Sequence, residues 1–199
     1  PGALFADVGK PFANAISAIS EPGTYIINVS DALPGALNLK TLISSDPAAA
    51  RQARSNLTPD TVLKYLFTSG STGSPKAVIN TNRMITSNQA MVRDCYSFLQ
   101  HEPPIVLDWA PWNHTAAGNK VSYMVLTNGG TYYMDDGKPS AAGIKTTIQN
   151  LRDVACTWYF NVPAGYDRLV EALEIDLDLA ETFFSRLRMM FYAGAGMSQ

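Results

Sequence analysis

The chain has 199 residues, 46% of them hydrophobic and 16% charged, which supplies a packed core and excludes a disordered chain. A formal net charge of −2 leaves no basic footprint for nucleic acid. No apolar run approaches bilayer length and no signal-peptide pattern opens the chain, so no membrane partner is expected.

In chain order, Lys10 to Ser20 carries Phe12, Ile16 and Ile19 near helical spacing. Thr24 to Val29 reads as a strand between Pro22-Gly23 and Ser30-Asp31, and Ser30 to Leu39 as loop. Pro47 opens a short helix to Ser55, with Asp46 as its cap. Val62 to Phe67 and Ala77 to Asn80 are strands flanking a polar loop. Asn82 to Gln100 reads as a long helix whose apolar stripe is Met84, Ile85, Met91, Val92, Cys95, Tyr96 and Leu99, the methionines acting as core filler. Ile105 to Leu107 is a buried strand, Ala116 to Leu126 a helix, Gly130 to Met134 a strand and Asp135 to Pro139 a turn. Ala141 to Leu151 is a helix, Cys156 to Phe160 a strand, Pro163 to Leu173 and Leu177 to Leu187 helices, and Arg188 to Tyr192 a last strand. Alternating strands and helices give an α/β fold with a largely parallel sheet flanked by helices, and the hairpin around the polar loop adds an antiparallel element.

The polar loop carries the strongest chemical signal. Thr68-Ser69-Gly70-Ser71-Thr72-Gly73-Ser74-Pro75-Lys76 sets hydroxyl donors, glycines and one cation between two strands. Glycines let backbone approach a ligand, and successive N–H groups make an anion-binding concavity. The spacing differs from G-x-x-x-x-G-K-[ST]: the second glycine comes early, and Pro75 precedes Lys76. With a strand following, the loop relies on hydroxyls, amides and Lys76. Thr68, Ser69, Gly70, Ser71, Thr72, Gly73 and Lys76 are the expected phosphate-binding residues.

Two further segments follow strands, where α/β sheets bind ligands. Trp109 to Asn119 holds His114 among tryptophans, asparagines and a glycine, and a histidine there can hydrogen-bond a carboxylate or an incoming thiol. Phe191 to Gly196 ends a strand in small residues against which a flat ring could lie. Asp135-Asp136 reads as a solvated turn, and Glu171, Glu174, Asp176 and Asp178 as an exposed face and connection. Cys95 and Cys156 read as buried free thiols in a reducing compartment, so the expected location is cytoplasmic. With only His101 and His114, a histidine metal site has little material, and no metal ligand is assigned in this stretch.

These segments resemble three signatures of the adenylate-forming superfamily of acyl-CoA synthetases, adenylation domains and luciferases. Thr68 to Lys76 is similar to its phosphate loop. Pro111-Trp112-Asn113-His114 before a glycine-bearing helix resembles the signature whose histidine lines the acyl pocket and the thiol path. Phe191 to Gly196 resembles the segment that lines the acyl pocket and contacts adenine. Ala77 to Thr81, Trp112 to Thr115 and Asp135 to Pro139 look most like the feruloyl-CoA synthetase group, although Ala116-Ala117 replaces an aromatic-glycine pair.

The resemblance implies ATP, Mg2+ and coenzyme A as co-substrates and cofactors, with a small carboxylic acid as partner. The acid, ferulate or a related hydroxycinnamate, forms an acyl-adenylate and then a CoA thioester. Lys76 and His114 would be the catalytic residues; His114, Gly194, Ala195 and Gly196 would form the acyl and adenine pocket. No Tyr-Gly-x-Thr-Glu segment, ribose-binding aspartate or C-terminal lysine is found among these residues. Residues 1–199 are therefore expected to be part of an N-terminal domain, lacking the C-terminal lid domain and unable to complete turnover alone. Rival expectations are a ligase for another aryl or fatty acid or an amino acid, and a non-catalytic nucleotide-binding module.

Overall fold

The computed structural model describes residues 2–30, 33–43, 47–68 and 75–197. It divides into two compact units, Pro1–Leu57 and Thr58–Gln199. In the first, strands β1 (Ala3–Ala6), β2 (Tyr25–Asn28) and β3 (Leu37–Asn38) pair in parallel in that order, with Ala3 beside Tyr25 and Ile27 beside Leu37. Helix α1 (Ala13–Ile19) follows a 3-10 turn at Lys10–Phe12. Helix α2 (Leu39–Leu42) is capped by Asn38, whose side chain accepts from the Lys40 N–H at 2.9 Å. Helix α3 (Pro47–Ser55) opens on proline, whose missing N–H has no intrahelical partner to lose there. β1, β3 and α2 escape the sequence reading because two to four residues set no period. The expected Asp46 cap lies outside the described residues.

The second unit opens with the antiparallel hairpin of β4 (Val62–Phe67) and β5 (Ala77–Thr81), in which Leu66 faces Val78 and Phe67 faces Ala77. Thr81 then caps α4 (Asn82–Cys95), accepting from the Met84 N–H at 3.3 Å. This helix buries Ile85, Gln89 and Val92, spaced four and three residues apart. Met84, Met91 and Cys95 of the expected stripe are exposed, so the methionines are not core filler and only Cys156 is a buried thiol. The helix stops at Cys95 rather than Gln100 because Tyr96 leaves helical geometry, and a 3-10 turn at Ser97–Gln100 follows.

The remaining strands are β6 (Ile105–Asp108), β7 (Thr131–Met134), β8 (Trp158–Asn161) and β9 (Met189–Tyr192). β6 pairs in parallel with β7, and β8 with β9. The two pairs meet between β6 and β8. At their starts the Thr157 N–H donates to the Ile105 carbonyl at 3.0 Å, and Thr157 Oγ1 accepts from the Ile105 N–H at 2.8 Å. At their ends Trp109 Nε1 donates to Asn161 Oδ1 at 3.2 Å. Both strands are buried almost throughout, as parallel strands covered on two faces are.

Alternation along the strands sends side chains to two cores. Val106, Trp158 and Phe160 pack with Val92 of α4 and with Met124 and Val125 of α5 (Ser122–Thr127). Leu107 and Tyr159 pack on the opposite face with helices α6 (Ile144–Leu151), α7 (Pro163–Ile175) and α8 (Leu177–Ser185), through Leu151, Leu169, Leu179 and Phe183. Helices thus flank the parallel strands on both sides, the expected α/β architecture. Glu171, Glu174 and Asp178 are exposed, but Asp176 is half-buried. It caps α8 by accepting from the Leu179 N–H at 3.0 Å and pairs with Arg152. Among the described residues no helix is long and apolar enough to cross a membrane.

Phe183 is fully buried, edge-on to Tyr159 at 5.2 Å. Phe183→Ala is expected to lower unfolding free energy by about 3–5 kcal/mol in urea titration, and a loss below about 1 kcal/mol would show that this cluster does not anchor α8.

Candidate active site

The carboxyl ends of β6, β7, β8 and β9 collect at one edge. From it leave the Trp109–Thr115 segment, the Asp135–Lys138 turn, Val162 and the Ala193–Gly196 segment. Asp108, the last residue of β6, is buried. Its Oδ1 accepts from the Ala110 N–H at 2.9 Å and its Oδ2 from the Tyr132 hydroxyl at 2.8 Å. That hydroxyl in turn accepts from Trp112 Nε1 at 3.2 Å, with the two rings edge to face. The chain Trp112–Tyr132–Asp108 holds the loop leading to His114. Burial pushes the Asp108 carboxyl above its ordinary value, against the Ala110 and Tyr132 bonds, which favour the anion, and with the Asp135 charge adding to the rise. Burial, the Asp108 charge and the hydrogen bond all hold the proton on Tyr132.

Beyond Thr115 the chain winds a π-helical turn, Ala116–Val121, before α5. The Ser122 N–H reaches back to the Ala117 carbonyl, the i→i+5 bond of this wider helix. Gly118 is needed inside it, because a Cβ there would overlap the Trp112 carbonyl oxygen. The expected helix from Ala116 is present, but its first turn is π rather than α. His114 is exposed at the entrance to this turn, and its Nδ1 accepts from the Ala116 N–H at 3.2 Å. The neutral ring would therefore carry its proton on Nε2, leaving that atom as the donor.

A cleft of about 460 Å³ opens between the hairpin and this segment, within the usual size of small-molecule sites. Thr68, Val78 and Asn80 line one side; Asn113, His114 and Thr115 line the other. Ser69, Gly70, Ser71, Thr72 and Gly73 lie outside the described residues. On either side of them stand Thr68 and, after Pro75, Lys76, joined by the Thr68 N–H donating to the Lys76 carbonyl at 2.9 Å. The structure thus brings Thr68 and His114 to one cleft and sets Lys76 at the base of the loop. Gly194, Ala195 and Gly196 leave β9 at the same edge of the sheet but do not line this cleft.

Asp135 is buried, not solvated, and accepts from the Gly137 N–H at 3.0 Å, Asn150 Nδ2 at 2.9 Å and the Thr147 hydroxyl. It ties the end of β7 to α6. Cys156 lies in the core with Leu107 and Tyr159, where burial pushes its thiol up to about 12. Among the described residues no three His, Cys, Asp or Glu side chains converge on a possible metal position. Asn80, Asn119, Asp108 and Asn161 organise the site without having been singled out in the sequence, since only their distant partners mark them.

A family model described as AMP-binding enzyme matches residues 3–199. The carboxylic acid reductase of Mycobacterium marinum is 26% identical over 123 residues, 62% of this chain and 10% of the reductase. Two solved structures share the fold. ATP-bound MatB from Rhodopseudomonas palustris has a TM-score of 0.67 at 19% identity, covering 98% of this chain and 35% of its own. The amide bond synthetase McbA from Marinactinospora thermotolerans has a TM-score of 0.69 at 20% identity, covering 98% and 36%. The chain thus spans about a third of those solved chains and matches a tenth of the reductase.

The raised Asp108 value carries a signed pH dependence. Below the ordinary aspartate range the folded and unfolded chains are both protonated and the group contributes nothing. As pH rises from that range through the raised value, the unfolded chain ionises first and the folded state loses relative stability. The melting temperature of the wild type is therefore expected to fall relative to that of Asp108→Asn over this acidic interval. A difference that stays constant with pH would contradict it.

Proposed function

The chain belongs to the AMP-binding enzyme family, and on that premise we propose that it supplies nucleotide- and acid-binding residues for an enzyme making the CoA thioester of ferulate or a related hydroxycinnamate. Adenylate formation from a carboxylic acid and ATP is the family's chemistry; the particular acid and the CoA acceptor are our reading. The observation that carries it is the shared cleft, with Thr68 at the mouth of the hydroxyl-rich loop on one wall and His114 on the other. The acid preference rests on the likeness of Ala77–Thr81, Trp112–Thr115 and Asp135–Pro139 to the feruloyl-CoA synthetase group. We assign the chain to part of the larger N-terminal domain, with a lid domain completing turnover, in the cytoplasm.

The chemical problem is that a carboxylate must approach a polyanion. In the first step a carboxylate oxygen attacks the α-phosphorus of ATP. The bond from that phosphorus to the bridging oxygen breaks, and pyrophosphate leaves with the electron pair. Charge grows on the departing phosphates, so donors and cations already in place lower the barrier. Lys76 and the hydroxyls of Thr68, Ser69, Ser71 and Thr72 take that role, and Gly70 and Gly73 let the loop approach. His114 donates from Nε2 to the acid's carboxylate and orients it. Phe67 and Val78 provide an apolar wall beside a flat acid. In the second step the thiol of coenzyme A gives up its proton to solvent, its sulfur attacks the acyl carbonyl carbon, the bond from that carbon to the phosphate oxygen breaks, and AMP leaves with the electron pair. Gly194, Ala195 and Gly196 are assigned to the acyl and adenine pocket.

Two measurements test this reading. Calorimetry with ATP should show Lys76→Ala weakening binding by about 1.5–3 kcal/mol, the worth of a charge-assisted contact. Equal binding by both proteins would remove Lys76 from the phosphate site. Exchange of labelled pyrophosphate into ATP, by the protein that carries this chain, should depend on hydroxycinnamates above fatty and amino acids. Preference for another class would move the assignment to that acid, and no exchange with any acid would end it.

A further inference from the structure

Among the described residues β4 and β5 pair only with each other, apart from the parallel strands. A lone hairpin is marginally stable, so side chains must set its place. The contacts that reach from this side of the unit to the π-helical turn include the following three. Lys64 Nζ of β4 donates to the Gly118 carbonyl at 2.6 Å. Gln89 Nε2 of α4 donates to the Asn119 carbonyl at 3.0 Å. Asn119 Nδ2 donates to Asn80 Oδ1 of β5 at 2.7 Å, across 39 residues of sequence.

The third contact is the most specific. Asn80 Nδ2 donates to the Val78 carbonyl at 2.9 Å, which orients the amide so that its oxygen is the atom offered to Asn119. Asn119 Nδ2 also reaches Thr115 Oγ1 at 3.2 Å, one residue past His114. A single amide nitrogen therefore joins the hairpin to the histidine segment. Among the described residues the Asn119 Oδ1 is buried with no hydrogen-bond partner. A buried acceptor without a partner is costly, which fits a residue held in place for its donors.

We propose that Asn80 and Asn119 form a latch that fixes the phosphate hairpin relative to His114. Both are thereby positioning residues for acid activation, an inference that rests on the acid-activating reading above. Phosphate donors and acid-orienting histidine sit on different elements, and the attack distance between their ligands is the distance the latch controls. Lys64 and Gln89 hold the backbone of the turn, whereas the Asn pair ties β5 itself to Thr115.

The test is a double-mutant cycle of Asn80→Ala and Asn119→Ala in the protein that carries this chain, read by pyrophosphate exchange. Each single variant is expected to lower kcat about 10- to 100-fold, and Asn119→Ala, which does not line the cleft, to leave the KM for ATP within about threefold. The double variant should be no slower than the worse single, and independent, multiplying losses would overturn the latch. A loss at Asn119 confined to KM would also overturn it. Asn119→Asp, which keeps the shape but replaces the donor, should be as slow as Asn119→Ala, and wild-type activity in it would overturn the proposal too. Hydrogen exchange supplies a second readout independent of turnover. In Asn119→Ala the amides of 77–81 and 115–120 should lose protection while those of β6 and β8 keep theirs, and unchanged protection at 77–81 would refute the latch. Should the wild type exchange no pyrophosphate with any acid, the functional reading fails, and the hydrogen-exchange pattern still decides the latch.

Discussion

The site depends on how Asn161 closes the carboxyl end of the sheet. This side chain is fully buried at the end of β8, and its donors and acceptors are engaged. Oδ1 accepts from Trp109 Nε1 at 3.2 Å and from the Val162 N–H at 2.9 Å, while Nδ2 donates to the Tyr159 hydroxyl at 2.9 Å. One amide thus binds the exit of β6 to the exit of β8, where no backbone ladder could join diverging chains. The packing is close enough that a Cβ on Gly165 in the first turn of α7 would overlap Asn161 Oδ1. Removing one partner of such a network leaves buried groups unpaired, so its cost exceeds that of one average hydrogen bond. With Trp109 held there, the following loop starts from a fixed point, and Trp112, Tyr132 and Asp108 carry that definition onward to His114.

The unit accordingly has a rigid part and a placed part. The parallel strands are sealed by apolar side chains on both faces and by Asn161 at their exit. The β4–β5 hairpin is placed against them by polar contacts, and these concentrate on the π-helical turn. A π turn suits that role because its wider winding is less well served from within, and Lys64 and Gln89 supply donors to its carbonyls. Lys120 in the same turn donates to the Tyr96 hydroxyl at 2.8 Å and lies 3.4 Å over the Phe191 ring. Its ammonium ties the turn to Tyr96, the residue that ends α4, on one side and to β9 on the other. A single turn of helix therefore relates the hairpin, His114 and the strand that leads to Gly194.

Much of this was legible in the sequence where the signal is local. The helices from Asn82, Ala141, Pro163 and Leu177 show a clear period, and each is present with ends shifted by a few residues. The strands from Val62, Ala77 and Ile105 read correctly because short apolar runs are bounded by Gly, Pro or polar residues. What was not legible depends on partners far along the chain. Asp135 looks like turn chemistry beside Asp136 and Gly137, and only Thr147 and Asn150, on a helix that follows, make it a buried anchor. Asn80 is one polar residue in a β-branched strand, and its meaning comes from Asn119. Met84 and Met91 look like core because hydrophobicity is read without knowing which face of α4 is covered. The hydroxyl and glycine order of Thr68 to Lys76 is the converse case, a signal carried by consecutive residues, most of which lie outside the described residues.

One electrostatic difficulty remains at such an edge. Asp108 stands at the end of β6, and under the proposed function a bare carboxylate at this edge would repel an arriving nucleotide polyanion. Burial works against the charged form, and the Ala110 N–H and Tyr132 hydroxyl occupy both oxygens. A charge that persists is turned inward onto donors. The Tyr132 hydroxyl also accepts from Trp112, so the group that screens the carboxylate is the one that orients the loop carrying His114. Screening and positioning are one hydrogen-bonded chain.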